Sequence, residues 1–231
     1  MIQIEKLSKK YEDKEVLNID QLTIQKGESF GLVGNNGAGK TTLFNLILDL
    51  IKPNEGQVIN NSITVNKSED WKKHTSAFID ENFLIGYLTP EEYFYFVGEL
   101  RGVKKSQVDS WLLQFEGFFK GEVLGQKKYI RNLSKGNQKK IGLIAAFLGH
   151  PECVILDEPF ANLDPSSQIR FKEIVKKHIE NTTTTFLISS HDLNHITEVC
   201  NRIVLLEKGV VLKDLTTDSD TFAKLESYFK T

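Results

Sequence analysis

The chain has 231 residues, 40% of them hydrophobic, enough to bury a sizeable core in one large domain or two small ones. Its 29 Lys and Arg against 31 Asp and Glu give a net charge of −2, without the basic excess of a protein held mainly by nucleic-acid phosphates, so no nucleic-acid partner is expected. The start, MIQIEKLSKKYEDKE, has no apolar signal core, and the longest mostly apolar stretch, residues 141–149, is far too short to span a bilayer, which predicts a soluble chain.

Short β-rich runs alternate with longer helical patterns, which predicts an α/β fold. Residues 2–7, 16–24 and 28–33 read as strands separated by polar turns and suggest an N-terminal antiparallel sheet. After the strand "SFGLVG" comes "GNNGAGKTT", which matches G-x-x-x-x-G-K-[ST] with a strand before it and a helical pattern over 40–50 after it. That context marks a phosphate-binding P-loop. Gly34, Gly37 and Gly39 let the backbone curl through Asn35, Asn36 and Ala38 so that N–H groups face phosphates. Lys40 supplies a point charge for the β and γ oxygens, Thr41 places a hydroxyl for Mg²⁺, and Thr42 completes the run.

The middle of the chain is crowded with aromatics and reads as a helical insertion. Thr89 is a good N-cap, with Pro90 at the first helical position, Glu91 and Glu92 in the first turn and Gly102 just past the end. A second helix carries Val108, Trp111, Leu112 and Phe115 on one face. Most of these aromatics are expected in the core; those of residues 83–88 are candidates for an exposed docking surface.

A second anion-binding signal follows in "RNLSKGNQKKIG", where Ser, Lys and Gly stand just ahead of a helix running from Gly136 to about Leu148. "CVILDEP" is a strand ending in two carboxylates. Asp157 is suited to orient Mg²⁺, and Glu158 to polarise an attacking water. Acidic residues after a strand are also common loop features, but behind a P-loop they read as the second half of an NTPase site. Asp164 and Pro165 open the next helix. "TTTTFLISSHD" then puts His191 after a buried strand, either as a capping residue or as a donor to a γ-phosphate oxygen. Residues 202–215 read as a hairpin and the end as a short amphipathic helix. Cys153 and Cys200 show no metal-ligand spacing and are expected in the core, which fits a reducing compartment.

The order P-loop, "LSKGNQKK", "VILDEP", "NLD", "SSHD" resembles the ATP-binding cassette (ABC) ATPases over nearly the whole chain. The resemblance implies one ABC ATPase domain, with a RecA-like core over roughly 1–80 and 150–231 that combines a mixed sheet with an antiparallel β subdomain, and a helical subdomain over 82–148. It implies ATP and Mg²⁺ as ligands, Lys40, Glu158 and His191 as catalytic residues, and Tyr11 as an aromatic stacking on adenine. Ser134 and Gly136 would belong to the signature loop, which reaches the ATP on a second, identical cassette, and Asn162 and Asp164 to a D-loop between the two. Two positions depart from the family pattern. Lys135 and Asn137 stand in a signature that is most often L-S-G-G-Q, with Lys135 directed either at phosphate or at solvent. Glu81 stands where a Q-loop glutamine would touch Mg²⁺; a carboxylate can reach the metal too, at the cost of repulsion with ATP.

By the same resemblance the chain would be the nucleotide-binding subunit of a transporter, docked on a separate permease at the cytoplasmic face of the membrane. "LSKGNQ" and "DENFLIGYLTPEEYFYFVGELRG" are similar to cassettes of bacterial exporters, so export is expected. The alternative is an ABC-type nucleotide switch acting on ribosomes or DNA, although no tandem cassette, coiled-coil insertion or zinc module is visible. A P-loop kinase would leave "LSKGN" unexplained.

Overall fold

The computed structural model describes residues 1–218 and 220–229; the expected core segment 150–231 therefore includes three positions outside the described residues. Alternating burial makes a long antiparallel pair of β1 (Ile2–Tyr11) and β2 (Lys14–Ile24), with Ile2, Ile4, Leu17, Leu22 and Ile24 turned inward. β3 (Ser29–Val33) is buried at every position. Such a continuous buried run suits a strand covered on both faces. It leaves the antiparallel sheet suggested by the sequence and becomes a central strand of a second sheet. After α1 (Lys40–Ile47), the place beside β1 goes instead to β4 (Glu55–Asn60), which pairs in turn with β5 (Ile63–Thr64) to complete the order β2-β1-β4-β5.

α1 stops short of Leu50 because Asp49 adopts φ 52° and the Leu50 N–H returns to the Asn45 carbonyl, closing a Schellman-type end on a residue other than glycine. β6 (Thr75–Phe78) is followed by the helical insertion: α2 (Pro90–Leu100), α3 (Lys105–Leu112), α4 (Glu116–Phe119) and α5 (Lys135–Ala145). Thr89 and Glu92 close the capping box of α2, and Gly102 at φ 69° ends it. Phe94, Phe115, Phe118 and Phe119 are buried among one another and against Phe171, with Trp111 edge-on to Phe94 and Phe115. Phe83 and Tyr87 stay 63% and 70% exposed, so the aromatics divide between core and surface as expected.

Then come β7 (Cys153–Leu156), α6 (Pro165–Asn181), β8 (Thr185–Ser190), α7 (Leu193–Val199), β9 (Arg202–Glu207), β10 (Val210–Thr216) and α8 (Thr221–Phe229). The second sheet runs β10-β9-β3-β8-β7-β6, parallel throughout except for the β9–β10 hairpin. The consequence for the site is direct. β3, β8 and β7 are neighbours and parallel, so the glycine loop, His191 and the Asp157–Glu158 pair all leave the sheet at its carboxyl edge, the ligand-binding edge of open α/β sheets. Cys153 and Cys200 are buried free thiols, and burial pushes the Cys153 thiol up to about 12.

Candidate active site

Glycine is required at both ends of the loop between β3 and α1. A Cβ on Gly34 would lie 2.3 Å from the Leu206 carbonyl oxygen, and Gly39, the N-cap of α1, has φ 108°. Between them Asn35, Asn36 and Gly37 are exposed, as is Thr41 on the first turn of α1, while the Lys40 side chain folds back and is 6% exposed. Its Nζ donates to the Gly34 carbonyl at 2.6 Å and lies 3.3 Å from Glu158 Oε1. The loop thus has an open rim with an ammonium beneath it, an arrangement suited to a polyanion.

The β7 and β8 ends meet that ammonium. Thr41 Oγ1 donates to Asp157 Oδ2 at 2.5 Å, and Ser189 Oγ donates to Asp157 Oδ1. Burial raises the Asp157 pKa, against the pull of those two hydrogen bonds. Glu158, at φ 45°, donates its N–H to Ser189 Oγ at 2.9 Å; its Oε2 meets His191 Nδ1 at 2.9 Å. Its Oε1 is buried and accepts no hydrogen bond within the described residues. Among those residues no group of three or more His, Cys, Asp and Glu forms a metal cluster. A hydroxyl and one buried carboxylate are hard oxygen donors, and they fit Mg²⁺, which takes few protein ligands and completes its shell with water and phosphate oxygens.

The second anion-type loop lies on the insertion. Ser134 is the N-cap of α5, which begins at Lys135, one residue before Gly136, and its Oγ accepts from the Asn137 N–H at 3.2 Å. Ser134 and Lys135 are exposed. Gly136 faces the turn after Glu158, a Cβ there falling 3.4 Å from the Asn162 carbonyl oxygen. Glu81 is 3.8 Å from Lys139 Nζ, so its charge has a partner within the chain. Tyr11, at the end of β1, is 49% exposed, with Lys9 Nζ over one side of its ring at 5.1 Å from the centroid.

Residues 17–161 match the family model described as ABC transporter. The chain belongs to the ABC transporter family. An uncharacterized ABC transporter ATP-binding protein of Methanocaldococcus jannaschii is 32% identical over 224 residues, 90% of this chain and 74% of the relative. The dimeric structure of a bacterial ABC transporter cassette superposes with a TM-score of 0.84, covering 95% of this chain and all of the other at 24% identity, a likeness of fold. A dimeric post-hydrolysis cassette bound to ADP and Pi gives 0.81 at 25% identity, with the same coverage.

This ABC ATPase therefore has the P-loop fold with a mixed-sheet core and an inserted helical subdomain, and it is an ATP-binding, ATP-hydrolysing subunit; the two solved cassettes just described are dimers. Lys40, Thr41, Asp157, Glu158 and His191 converge within one chain. Ser134 and Gly136 stand apart from them, across the Glu158–Asn162 turn. Sequence reasoning missed Ser189 and Lys139. Ser189 stands two residues before His191 in "SSHD", with nothing in the linear order to show that it reaches Asp157; Lys139 lay hidden among the lysines of "NQKK".

Proposed function

We propose that the chain powers an exporter as one of two identical cassettes that close head to tail on two Mg-ATP molecules at the cytoplasmic face of a separate permease. It forms one ABC ATPase domain, with a core over roughly 1–80 and 150–231 and a helical subdomain over 82–148. The observation that carries the catalytic reading is the Glu158 carboxylate: one oxygen on His191, the other buried 3.3 Å from the Lys40 ammonium. Once Lys40 turns to the phosphates, that oxygen is left with a lone pair for the proton of an attacking water. His191 fixes the carboxylate's direction through Nδ1 and leaves Nε2 for the γ-phosphate. Lys40 supplies positive charge to the β and γ oxygens, and the loop amides of residues 34–42 cradle the chain of phosphates. Thr41 and Asp157 would hold Mg²⁺, with Glu81 near enough to the Asp157–Glu158 loop to act through water. When bound, the ion neutralises charge on the phosphate oxygens. Tyr11 would stack on the adenine.

The docking surface is the segment at 83–88. Phe83, Ile85 and Tyr87 are exposed beside a cavity of about 370 Å³ lined by Leu50, Trp71, Phe78, Leu84 and Tyr93. The segment is tied to the approach of the signature loop: the Ile130 N–H donates to Leu88 O, the Arg131 N–H to Gly86 O, and the Arg131 guanidinium lies 4.2 Å from the Tyr87 ring centroid. A permease pressing on 83–88 would thereby act on Ser134. The similarity of "LSKGNQ" to exporter cassettes supports the direction of transport.

Glu158→Gln tests the chemistry. ATP should still bind while steady-state hydrolysis falls by ~10²- to 10⁴-fold, the loss typical of a missing general base; turnover near the wild-type rate would eliminate the assignment. Purification from membranes should bring down a polytopic permease, and association with ribosomes or DNA instead would favour the nucleotide-switch alternative.

A further inference from the structure

Lys139 lies in the first half of α5 and is 5% exposed. Its ammonium is fully committed. Nζ donates to the Glu158 carbonyl at 2.8 Å and to the Ala161 carbonyl at 2.9 Å, and it stands 3.8 Å from Glu81 Oε1. Burial lowers its pKa, against the opposing charges of Glu81, Glu158, Asp157 and Asp80. A lysine this buried persists when it is both paired and hydrogen-bonded, and here both conditions are met inside the site.

The turn it holds is strained. Glu158 has φ 45° and Asn162 φ 61°, in the left-handed region that disfavours side chains. The Glu158 peptide groups are gripped on both sides, the N–H by Ser189 Oγ and the carbonyl by Lys139. Fixing those two groups fixes the Cα–Cβ direction, and with it the line along which the carboxylate leaves the backbone.

We infer that Lys139 is a positioning residue for Glu158: its ammonium clamps the Glu158 and Ala161 carbonyls to the signature helix and so aims the Glu158 carboxylate, with Glu81 as its counter-ion. Glu81 then has a reason to be a carboxylate. The negative charge that would repel ATP is met by the buried ammonium. The inference rests on Glu158 as the general base.

Lys139→Met keeps an unbranched chain and removes the ammonium. The expected result is a fall in kcat of about tenfold or more with KM for ATP within about threefold, because nucleotide binding is left in place. The substitution also strands the Glu81 carboxylate, whose side chain is 13% exposed, so Tm falls too. Glu81→Gln combined with Lys139→Met removes the stranded charge and should recover Tm. With Glu81→Gln alone as the reference, because Glu81 also faces the Mg²⁺ side, a double variant whose Tm and kcat both match that reference shows that Lys139 merely braced the fold and overturns the inference; a recovered Tm with kcat about tenfold or more below the Glu81→Gln reference supports it. Should Lys139→Met fail to fold, the double variant decides alone on the same criterion. In a Glu158→Gln background, Lys139→Met should lower the residual rate by less than about threefold, since groups acting through one another are not additive. A full additive loss there would overturn positioning and leave Glu158 as base. Near wild-type hydrolysis by Glu158→Gln on its own would remove the base reading and the positioning role together.

Discussion

Ser189 shows how one hydroxyl can organise two carboxylate residues. It is fully buried at the end of β8, gives its proton to Asp157 Oδ1 and takes the Glu158 N–H on a lone pair at 2.9 Å. Both bonds join β8 to the end of β7, so they register the loop after one strand against the end of the next. Ser189→Ala would leave the Glu158 N–H without its acceptor and Asp157 with Thr41 as its remaining hydroxyl donor. We expect a stability loss of roughly 1–3 kcal/mol, the cost of a stranded buried group, together with a further rise in the Asp157 pKa as a stabilising bond is lost. Urea unfolding of the wild type and the variant at neutral pH checks the first, and an unchanged midpoint would contradict it. Linear order indicates that His191 follows a strand. It does not indicate that a residue two places earlier reaches Asp157, because that contact exists only once β7 and β8 lie side by side.

At the start of α6, Asp164 has extended backbone angles and accepts from the Ser167 N–H at 3.1 Å, from Ser166 Oγ at 2.6 Å and from Lys120 Nζ at 3.1 Å. The Ser166 hydroxyl, then Ser167 and the Lys120 ammonium, hold its carboxyl well below the usual carboxylate range. A depressed folded-state pKa means that the unfolded chain binds the proton more readily. The cap's contribution is therefore complete above the ordinary Asp pKa near about 4 and is lost as pH falls below it. Asp164→Asn keeps a capping oxygen without the charge. Its Tm should lie below that of the wild type at neutral pH, and the gap should close as pH is lowered below about 4; thermal melts across that range measure it, and a constant gap would refute the charge effect. This cap was legible in "DP", as the α2 cap was in "TPEE", because capping is local chemistry. The Asp49 stop of α1 was not, since it uses an αL residue without the glycine that would announce it. Nor were β4, β5 and β6. They are two to six residues long: β4 and β6 are strands by pairing with distant partners, β4 with β1 and β6 with β7 across the whole insertion, and β5 is a two-residue edge strand paired with β4. β3 was seen but assigned to the wrong sheet for the same reason: five buried residues give no alternation from which to choose a partner.

At the scale of the molecule, in the pairing proposed above, one anion-type site is complete in each chain and another is half-built. Lys40 and Thr41 are gathered with Asp157 and Glu158, whereas exposed Ser134 spends its cap bond on its own helix at Asn137. A two-fold axis relating two chains would bring the signature loop of each to the phosphate loop of the other, two equivalent composite sites in a closed pair. Shifting such a pairing from 1:99 to 99:1 needs about 5.5 kcal/mol of preference for the ATP state. Charge-assisted hydrogen bonds of roughly 1.5–3 kcal/mol each would supply it from a few γ-phosphate contacts. Asn36→Cys and Ser134→Cys on a Glu158→Gln background test this geometry. The native thiols add little background, since burial raises both Cys153 and Cys200 well above neutral pH. A disulfide requires Cα atoms within about 7 Å, so oxidation with Mg-ATP should give a band at dimer mass that is absent without nucleotide. Lys135→Cys in place of Ser134→Cys repeats the measurement with the Ser134 hydroxyl intact. Cross-links confined to single chains with both pairs would show that the signature loop serves its own nucleotide, and the two-chain site would have to be abandoned.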